Sequence, residues 1–526
     1  MSILALALLA ATAAHADTTV FRGGAIYTLG AAHPWASGLV VVDGRIAYVG
    51  SDRGAKKYEH PGARVIALHG RMILPGFHDG HTHPMSGAMR LLRCKLGGLK
   101  TEAEIGYAVR TCAASQKGAW LLGAGWSPAA FGPEGPTVAA LDALVPGRPA
   151  YLTTEDGFTG WANSKALAIA GVAATNALPP DKAEVVRRHV PPPSEAEYRE
   201  ALRQASAIAN RFGITSVFDA AATPSLLDAY HDADLAGELT LRVVAAQRVD
   251  PGLGPAQVDG MIARRDRVQG PRLRADAAKI FLDEEIVLHT AAMIEPYADA
   301  PTLRGTLFVQ PAALDPIVRR LDAEGFLIHM HAMGDLAVRA GLDAIERAVA
   351  ANGPRDRRHQ LAHIGVADAA DIPRFGKLGI AANFTPLWAQ SGDPAYAATR
   401  IALGPERSRR MHPIASIAAA GGRITAGSDW MSTSMNPLDS VQAAVTRGDG
   451  QRVTLAAILA AYTRDAAWAA REDATDGTLA AGKAADLIVL DRNLFKLSPA
   501  ALDKARVLLT LLDGAPVYRD PSFSWP

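Results

Sequence analysis

Two histidines separated by one residue form the first group in this chain that could do chemistry. His81 and His83 lie in LPGFHDGHTHPM (residues 74–85), directly after an apolar run. Residues i and i+2 of a strand point to the same side, so both imidazoles can face one metal ion. Two ordinary loop histidines would give the same pattern. The pair therefore indicates a metal site only if other segments supply further ligands.

Further nitrogen and oxygen donors occur in other strand-like segments. They are His331, His363 and Asp429 at the ends of such segments and Lys279 inside one. Imidazole and carboxylate ligands suit zinc or a similar divalent ion. Each residue also has an ordinary alternative. His331 and His363 could be polar groups inside a barrel. Lys279 could form an ion pair with Asp283, and Asp429 could cap a helix.

A parallel β/α architecture would bring these donors together. Strand-like and helical patterns alternate through the middle of the chain, and eight strands favour a (β/α)8 barrel, whose active sites lie at the carboxyl ends of the strands. The predicted strands cover residues 77–83, 213–219, 240–247, 275–283, 326–331, 358–363, 379–384 and 423–429. All the candidate ligands fall within these segments.

The two ends of the chain differ from the middle. Short runs rich in β-branched residues and broken by glycine predict that residues 17–76 and 478–526 pair into one β-sandwich domain. Residues 77–477 then form the barrel domain, with an inserted α/β subdomain at about residues 84–205, after the first barrel strand. The predicted fold class is α/β, a TIM-type barrel with a composite β-sandwich and this insertion.

The composition excludes some partners and leaves the compartment open. Hydrophobic residues make up 49% of the 526 residues and the formal net charge is +1, so nothing favours binding to nucleic acid or to an anionic membrane.

Residues 1–16 resemble a secretory signal peptide, although no lysine or arginine precedes the apolar stretch. We expect an exported protein, periplasmic or secreted, without a membrane span; a cytoplasmic protein is the alternative. Cys94 and Cys112 could pair, but the sequence does not show that they do.

The motifs around these residues resemble the amidohydrolase superfamily, specifically its family 3 (YtcJ-like), which includes N-substituted formamide deformylases. The motifs are PGFHDGHTH (75–83), WANSKAL (161–167), AKIFLD (278–283), HMHAMGDLAV (329–338), HQLAHIGVADAADIPRFGKLGI (359–380), TAGSDW (425–430) and GTLAAGKAADLIVLD (477–491). They cover nearly the whole chain in the family's order. The resemblance implies a metal-dependent hydrolase with a metal centre at the barrel mouth.

The resemblance also implies a role for each ligand. His81 and His83 would bind the more buried of two divalent ions, expected to be zinc, and His331 and His363 would hold the second. Lys279 would bridge both ions as an N-carboxylated side chain, because a free ammonium has no lone pair and repels a dication. Without that modification, a one-metal site is the alternative.

Such a centre implies hydrolysis of a small molecule. A divalent ion lowers the pKa of its bound water from about 15.7 to about 7, so a metal-bound hydroxide could attack a carbonyl group. Asp429 would touch the first ion and act as the proton shuttle to the leaving nitrogen. The predicted reaction is cleavage of the C–N bond of an amide, a formamide or an N-acyl amine. The enzyme could be a homodimer.

Three other functions are compatible with the chain. An ester or lactone hydrolase would use the same binuclear centre. A mononuclear deaminase would need a glutamate soon after the sixth-strand histidine, and HIGVADAAD (363–371) has none within three residues. An inactive binding or regulatory relative would be expected to have lost some of its ligands.

The substrate-lining residues are predicted from aromatic side chains and from departures from the family pattern. Trp126, Trp161 and Trp388 could clamp an apolar or aromatic group, although simple packing explains them equally well. Relatives usually have a histidine where this chain has Phe158, and Asp-Gly with a small residue where it has Asp283-Glu284-Glu285. Both departures lie where substrate contact is expected, and the glutamates would favour a cationic or amine-bearing group.

Three further histidines have weaker signals. His329 shares a strand face with His331 and is expected to support a ligand rather than to bind the metal. The odd spacing of His78 from His81 predicts that His78 faces away from the centre. His289 is expected to lie in a loop or lid.

Overall fold

A computed structural model describes residues 17–116, 118–132, 135–154 and 159–525 of the chain. The chain divides into two compact units, which we call the barrel unit (Met1–Pro84 with Ser206–Pro526) and the inserted unit (Met85–Ala205). The expected leader at residues 1–16 and the candidate Phe158 lie outside the described residues.

The strands and helices follow one another in the order expected of a mixed α/β chain. The strands are β1 (Thr18–Tyr27), β2 (Trp35–Val42), β3 (Arg45–Gly50), β4 (Arg64–Ala67), β5 (Met72–Pro75), β6 (Phe77–Thr82), β7 (Cys94–Lys95), β8 (Leu121–Trp126), β9 (Ala150–Thr154), β10 (Gly160–Ala162), β11 (Ile214–Ala222), β12 (Arg242–Arg248), β13 (Leu273–Phe281), β14 (Leu327–Ala332), β15 (Gln360–His363), β16 (Ala381–Phe384), β17 (Arg423–Ala426), β18 (Leu487–Leu490), β19 (Val507–Leu512) and β20 (Ala515–Arg519). The helices are α1 (Asp52–Ala55), α2 (Pro84–Leu91), α3 (Glu102–Ser115), α4 (Val138–Leu144), α5 (Ser164–Ala170), α6 (Pro180–His189), α7 (Glu195–Arg211), α8 (Pro224–Leu235), α9 (Gln257–Arg267), α10 (Pro311–Ala323), α11 (Asp335–Asn352), α12 (Ile372–Leu378), α13 (Pro394–Arg407), α14 (Ile414–Ala419), α15 (Pro437–Thr446), α16 (Leu455–Ala461) and α17 (Arg464–Ala469).

Eight parallel strands of the barrel unit form a nearly closed barrel. β6 pairs with β11, and β11 to β17 then follow in chain order. At the seam between β17 and β6, the Asp429 N–H donates to the His81 carbonyl oxygen at 2.8 Å, and the His83 N–H donates to the Trp430 carbonyl oxygen at 3.3 Å. The predicted parallel eight-stranded barrel is confirmed.

The barrel strands are buried on both faces because helices cover the outside of a parallel sheet. Every residue of β14, β15 and β16 is buried, including the polar ones. The large apolar core between strands and helices includes Leu314, Ile328, Leu342 and Phe375. A polar side chain in these strands therefore lies in the barrel interior or in this core, and it needs a partner there.

Two predicted strands end two or three residues earlier than the sequence indicates, whereas β6 ends one residue earlier, at Thr82. β17 stops at Ala426 instead of residue 429, since Gly427 packs against the His81 backbone and Asp429 takes a left-handed conformation with φ 47°. β13 stops at Phe281 instead of residue 283, because the Asp283 side chain leaves the strand pattern to bind backbone N–H groups. In both cases the strand ends just before a buried carboxylate, Asp429 or Asp283.

The two ends of the chain pair in a second sheet of the barrel unit. Its order is β20-β19-β18-β5-β1-β2-β3, and β4 pairs with β1 in parallel. The antiparallel pairing of β5 with β18 joins the two ends, which are more than 400 residues apart in sequence. Buried residues such as Phe21, Leu39, Ile73 and Leu509 form its core.

The inserted unit has its own sheet and core. Its strands have the order β10-β9-β8-β7, and the apolar core includes Leu121, Leu152, Trp126 and Trp161. Cys94 and Cys112 form a disulfide in this unit, with 5.7 Å between their Cα atoms. Across the described part of the chain, no helix is both long and apolar enough to cross a membrane.

Candidate metal centre

The barrel brings all the predicted ligands towards the carboxyl ends of its strands. Five of them are buried, and His83 is half-buried. Their positions are His81 and His83 at the end of β6, Lys279 in β13, His331 in β14, His363 at the end of β15, and Asp429 just after β17. Because the carboxyl ends of parallel strands meet at one rim, residues far apart in sequence become neighbours.

His81, His83 and Asp429 form a tight group of donors. Asp429 Oδ1 lies 3.6 Å from His81 Nε2 and 3.3 Å from His83 Nε2. The three ligand atoms all lie within 4.8 Å of one another. A tetrahedral zinc ion with bonds of about 2 Å places its ligand atoms roughly 3.3 Å apart. The observed separations fit one ion held by these three side chains.

His331 and His363 continue the group on the neighbouring strands. The His363 ring centroid lies 4.5 Å from that of His81 and 4.5 Å from that of His331. His363 itself has φ 74°, an uncommon left-handed conformation for a residue with a side chain. Such conformations persist where the surrounding structure imposes them, and they cluster at functional sites.

Lys279 is the most unusual member of the set. It is fully buried, and its Nζ atom makes no hydrogen bond to any residue that the structure describes. Its Nζ atom lies 4.7 Å from the centroid of the Phe281 ring. Burial lowers the pKa of Lys279 to about 7, against the opposing charge of Asp429. A large share of this amine is therefore neutral near neutral pH.

Three histidines of the centre, His81, His331 and His363, are held neutral. Burial, together with the charge of Lys279, lowers the pKa of His331 to about 3. Burial also lowers the pKa of His81 and of His363 well below the ordinary value, and neighbouring positive groups add to the effect. A neutral imidazole keeps a lone pair for a metal ion.

Orphaned polar atoms test whether these residues fit a metal. Within the described ranges, His81 Nε2, His363 Nδ1 and Lys279 Nζ are buried without a hydrogen-bond partner. Buried polar atoms are rarely left unpaired, and each such case needs an explanation. Here a cation ligated by the two imidazoles, and by a modified lysine, would satisfy all three. The donor set fits a divalent ion.

Asp283 has a different position from the one predicted. It is fully buried, and its carboxylate accepts hydrogen bonds from the backbone N–H groups of Ala292 (3.0 Å), Met333 (2.9 Å) and Gly334 (2.8 Å). These bonds fix the chain after β13 to the start of α11. Asp283 therefore neither pairs with Lys279 nor offers a free carboxylate to a substrate.

The three candidate tryptophans separate into two groups. Trp126 and Trp161 are 1% exposed, and their indole N–H groups donate to the backbone carbonyl oxygens of Leu152 and Thr137 inside the inserted unit. This burial favours the packing interpretation for both. Trp388, in contrast, is half-buried and stacks on His363. Its contact with a substrate stays a prediction.

The remaining histidines take positions outside the ligand set. His329 Nε2 lies 2.8 Å from His81 Nδ1, as expected of a residue that supports a ligand. His78 faces away from the centre, with Nε2 3.1 Å from Asp476 Oδ1 and Nδ1 3.6 Å from Glu472 Oε2. His289 pairs with Asp299 at 2.8 Å.

Several residues that support the centre were not predicted from the sequence. Asp79 accepts from the N–H and the hydroxyl group of Ser428 (2.8 and 2.5 Å), which joins the first strand to the segment carrying Asp429. Gln360 contacts His329 at 3.3 Å. The available signal was a polar residue inside an otherwise apolar buried strand, which requires a partner, but the identity of that partner depends on strand register.

Comparison with known proteins identifies the family. The family model described as "Amidohydrolase family" matches residues 64–518. This chain belongs to the amidohydrolase family. It is 29% identical to the Protein LONG AFTER FAR-RED 3 of Arabidopsis thaliana, over 94% of this chain and 90% of the relative. It is 26% identical to the N-substituted formamide deformylase of Arthrobacter pascens, over 94% of this chain and 97% of the relative.

The solved structures agree on the fold of this amidohydrolase. An uncharacterized metal-dependent hydrolase from Pyrococcus furiosus superposes with a TM-score of 0.79 at 24% identity, covering 92% of this chain and 100% of that one. The family assignment makes the protein a hydrolytic enzyme that acts on carbon–nitrogen bonds. The amidohydrolase ligands predicted from the sequence all lie in the matched region.

Proposed function

We propose that this amidohydrolase cleaves the C–N bond of an amide, a formamide or an N-acyl amine at a centre of two zinc ions. The observation that carries the proposal is the convergence of Asp429 Oδ1 on His81 Nε2 and His83 Nε2, at 3.6 and 3.3 Å, at the rim where barrel enzymes place their chemistry. The relative named N-substituted formamide deformylase supports the class of bond.

Two groups of side chains would hold the ions. His81, His83 and Asp429 would bind the first, and His331 and His363 the second. Nitrogen and oxygen donors in this number suit zinc. The 4.5 Å separations of the His363 ring from those of His81 and His331 support neighbouring ions rather than two remote sites.

Lys279 would bridge the ions after carboxylation. Its neutral amine has a lone pair that can bond to the carbon of carbon dioxide, and loss of the amine proton leaves an anionic carbamate with two oxygen ligands. The full burial of Lys279 and its pKa of about 7 support this step, since a permanently charged ammonium could not make it. The carbamate would also replace a positive charge among the ligands with a negative one.

Asp429 would move the proton. When bound, the ions supply a Lewis acid that polarises the carbonyl oxygen and lowers the pKa of water. The Asp429 carboxylate accepts a proton from the attacking water and donates it to the leaving nitrogen as the C–N bond breaks, which gives a carboxylic acid and an amine. Its backbone N–H bond to the His81 carbonyl oxygen, at 2.8 Å, holds it in place.

The choice of substrate would depend on residues around the centre. Trp388 is placed to contact an apolar or aromatic group. Glu284 is exposed and Glu285 half-buried at the start of the segment after β13, where they would favour a cationic or amine-bearing group. Phe158 lies outside the described residues, and its role in the binding of substrate stays a prediction.

We also propose that the protein is exported. Disulfides form and persist in oxidising compartments, so the bond between Cys94 and Cys112 supports a periplasmic or secreted protein. Cell fractionation of the native host with an antibody to the protein is the measurement. Recovery only from the cytosol, with both thiols reduced, would contradict export.

A substrate screen tests the proposed activity. Zinc-loaded protein should release amine from at least one member of a panel of N-substituted formamides and N-acyl amines. Prior removal of the metal with a chelator should abolish the release, and added zinc should restore it. Cleavage of lactones or aryl esters alone would replace the proposal with an ester hydrolase. Failure to bind zinc, together with no turnover, would favour a binding or regulatory protein.

A further inference from the structure

A series of buried hydrogen bonds leads from the ligand His81 away from the metal centre. His81 Nδ1 lies 2.8 Å from His329 Nε2, and His329 Nδ1 lies 3.3 Å from Gln360 Oε1. At the far end, Gln360 Nε2 donates to the Ala469 carbonyl oxygen at 3.1 Å. All four residues are at most 2% exposed, so these hydrogen bonds are closed to solvent.

The Ala469 carbonyl oxygen, at the far end of this hydrogen-bond series, determines which atom donates in each of its bonds. A backbone carbonyl oxygen can only accept, so Gln360 must present its NH₂ group to Ala469 and its carbonyl oxygen to His329. His329 Nδ1 therefore carries a proton. In a neutral ring, His329 Nε2 is then an acceptor, and His81 Nδ1 must donate to it.

The consequence for His81 is a single tautomer. With its proton on Nδ1, His81 keeps the lone pair on Nε2, the atom that faces Asp429 at 3.6 Å and has no hydrogen-bond partner in the described part of the chain. The opposite tautomer would place a proton on Nε2, where it would exclude a cation. The hydrogen-bond series thus keeps the Nε2 lone pair of His81 available for a metal ion in the metal-free protein.

The surroundings of His329 favour its neutral form. The Phe218 ring stacks on the imidazole, with centroids 4.8 Å apart, and Lys279 lies next to His329 in the β13–β14 register. Gln360 is the residue paired with His329 in the β14–β15 register, so their contact is built into the barrel. His329 is 0% exposed and, among the described residues, its ring nitrogens bond to the neutral side chains of Gln360 and His81 and to no carboxylate, which favours the neutral ring.

We propose that Gln360, acting through His329, is a positioning residue that selects the metal-binding tautomer of His81. This inference rests on the proposed function, because His81 is a ligand only if the metal centre exists. A metal-binding histidine usually donates its other N–H to an oxygen acceptor. Here the acceptor is a second imidazole, which accepts in only one of its tautomers, and a third residue is needed to fix that tautomer.

The first test compares two buried glutamines of the barrel. Gln360→Leu removes the acceptor that fixes His329. Gln247→Leu is the matched control, since Gln247 is also buried in a barrel strand and donates to the carbonyl oxygens of Met261 and Ala275 without touching the centre. Zinc dissociation constants are measured by competition with a chelating dye. We expect binding about 10- to 100-fold weaker for Gln360→Leu, and a change below about threefold for the control.

The second test varies His329, the middle residue of this hydrogen-bond series. The carbonyl group of His329→Gln can still accept the His81 proton, whereas His329→Leu offers no acceptor. We expect His329→Gln to keep most of the zinc affinity and His329→Leu to lose about 10- to 100-fold. Thermal unfolding of the metal-free variants reports whether each one is folded. If disturbed packing alone weakened zinc binding, both substitutions would weaken it, and His329→Gln would not restore the affinity.

The third test measures the tautomer of His81 directly. Nitrogen-15 NMR of histidine-labelled, metal-free protein should show the His81 proton on Nδ1, with the signal assigned by its loss in His81→Ala. A proton on Nε2 of His81 would overturn the inference, as would zinc affinities of Gln360→Leu and His329→Leu equal to that of the wild type. In either result, zinc binding by the wild type would leave the proposed function intact. A wild type that binds no zinc would remove both.

Discussion

The imidazole of His363 stacks on the indole of Trp388, with ring centroids 4.9 Å apart and 13° between the ring planes. Trp388 lies in a short helical turn, Pro386–Ala389, that follows the seventh barrel strand. The contact fixes one face of a candidate metal ligand. Because Trp388 is only half-buried, part of its ring is also free to meet a substrate.

Replacing Trp388 by alanine should separate these two roles. Loss of an aromatic clamp should raise KM for amides with an aromatic group about 10-fold, equivalent to about 1.4 kcal/mol, and change KM for a small formamide much less. Trp388→Phe should recover most of the effect. Steady-state kinetics on the two substrates is the measurement. An equal fall in kcat for both, with weaker zinc binding, would show instead that Trp388 acts by holding His363.

Asp429→Asn tests the proton shuttle. Asparagine keeps an oxygen near His81 and His83 but cannot take up a proton, so kcat should fall about 10²- to 10⁴-fold. Asp315→Asn, which removes a half-exposed partner of Arg347, serves as the control and should keep wild-type activity. Zinc content measured on the same samples distinguishes loss of the shuttle from loss of the metal. Full activity in Asp429→Asn would rule out this assignment.

Lys279→Gln tests the bridging carbamate. Glutamine cannot react with carbon dioxide, so the variant should hold one zinc ion fewer than the wild type, and bicarbonate should not restore it. Wild-type protein supplied with carbon-13 bicarbonate should show a carbamate NMR signal that Lys279→Gln lacks. The exposed Lys377, substituted in the same way, should change neither result. Equal zinc content in Lys279→Gln and the wild type would leave the lysine without a role in binding metal.

The architecture of the barrel could be predicted because it depends on local patterns. Apolar strands of the right length, separated by helical periods, identify a parallel sheet without knowledge of any contact. The same logic explains why His331 and His363 could be placed together with His81. Their positions at strand ends are visible in the sequence, and barrel geometry alone brings those ends to one rim.

Contacts that depend on register or on burial could not be predicted in the same way. Asp283 looked available to a substrate, but its carboxylate binds three backbone N–H groups contributed by two other segments. Trp126 and Trp161 carry the same sequence signal as Trp388, yet they lie in the core of the inserted unit. Gln360 became informative only once the register placed it beside His329.

Removal of the disulfide should weaken the inserted unit. Cys94 and Cys112 are 18 residues apart, and closing a loop of this size stabilises a folded chain by about 3 kcal/mol in the chain-entropy model. The Cys94→Ser/Cys112→Ser variant should therefore unfold this unit at lower urea concentration, as followed by proteolysis of residues 85–205. A reductant should have the same effect on the wild type and none on the variant. Indifference of the wild type to reductant would contradict the prediction.

The buried group of His78, Glu472 and Asp476 should make stability depend on pH. Burial lowers the pKa of His78, but Asp476 and Glu472 together raise it above its ordinary value. Burial and the charge of Asp476 together raise the pKa of Glu472 to about 7. Both groups therefore hold protons in the folded protein that they release when it unfolds near neutral pH.

The sign of the effect follows from linkage. A group whose folded pKa is raised contributes stability at low pH that is lost as the pH rises through the folded value, so the stability that His78 and Glu472 contribute should be lost between about pH 5 and pH 8. Glu472→Gln cannot release the proton and should show a smaller loss over that range, whereas Glu295→Gln, at an exposed site, should follow the wild type. Thermal midpoints of the metal-free proteins at several pH values provide the measurement. Parallel curves for the wild type and Glu472→Gln would show that this group takes up no proton on folding.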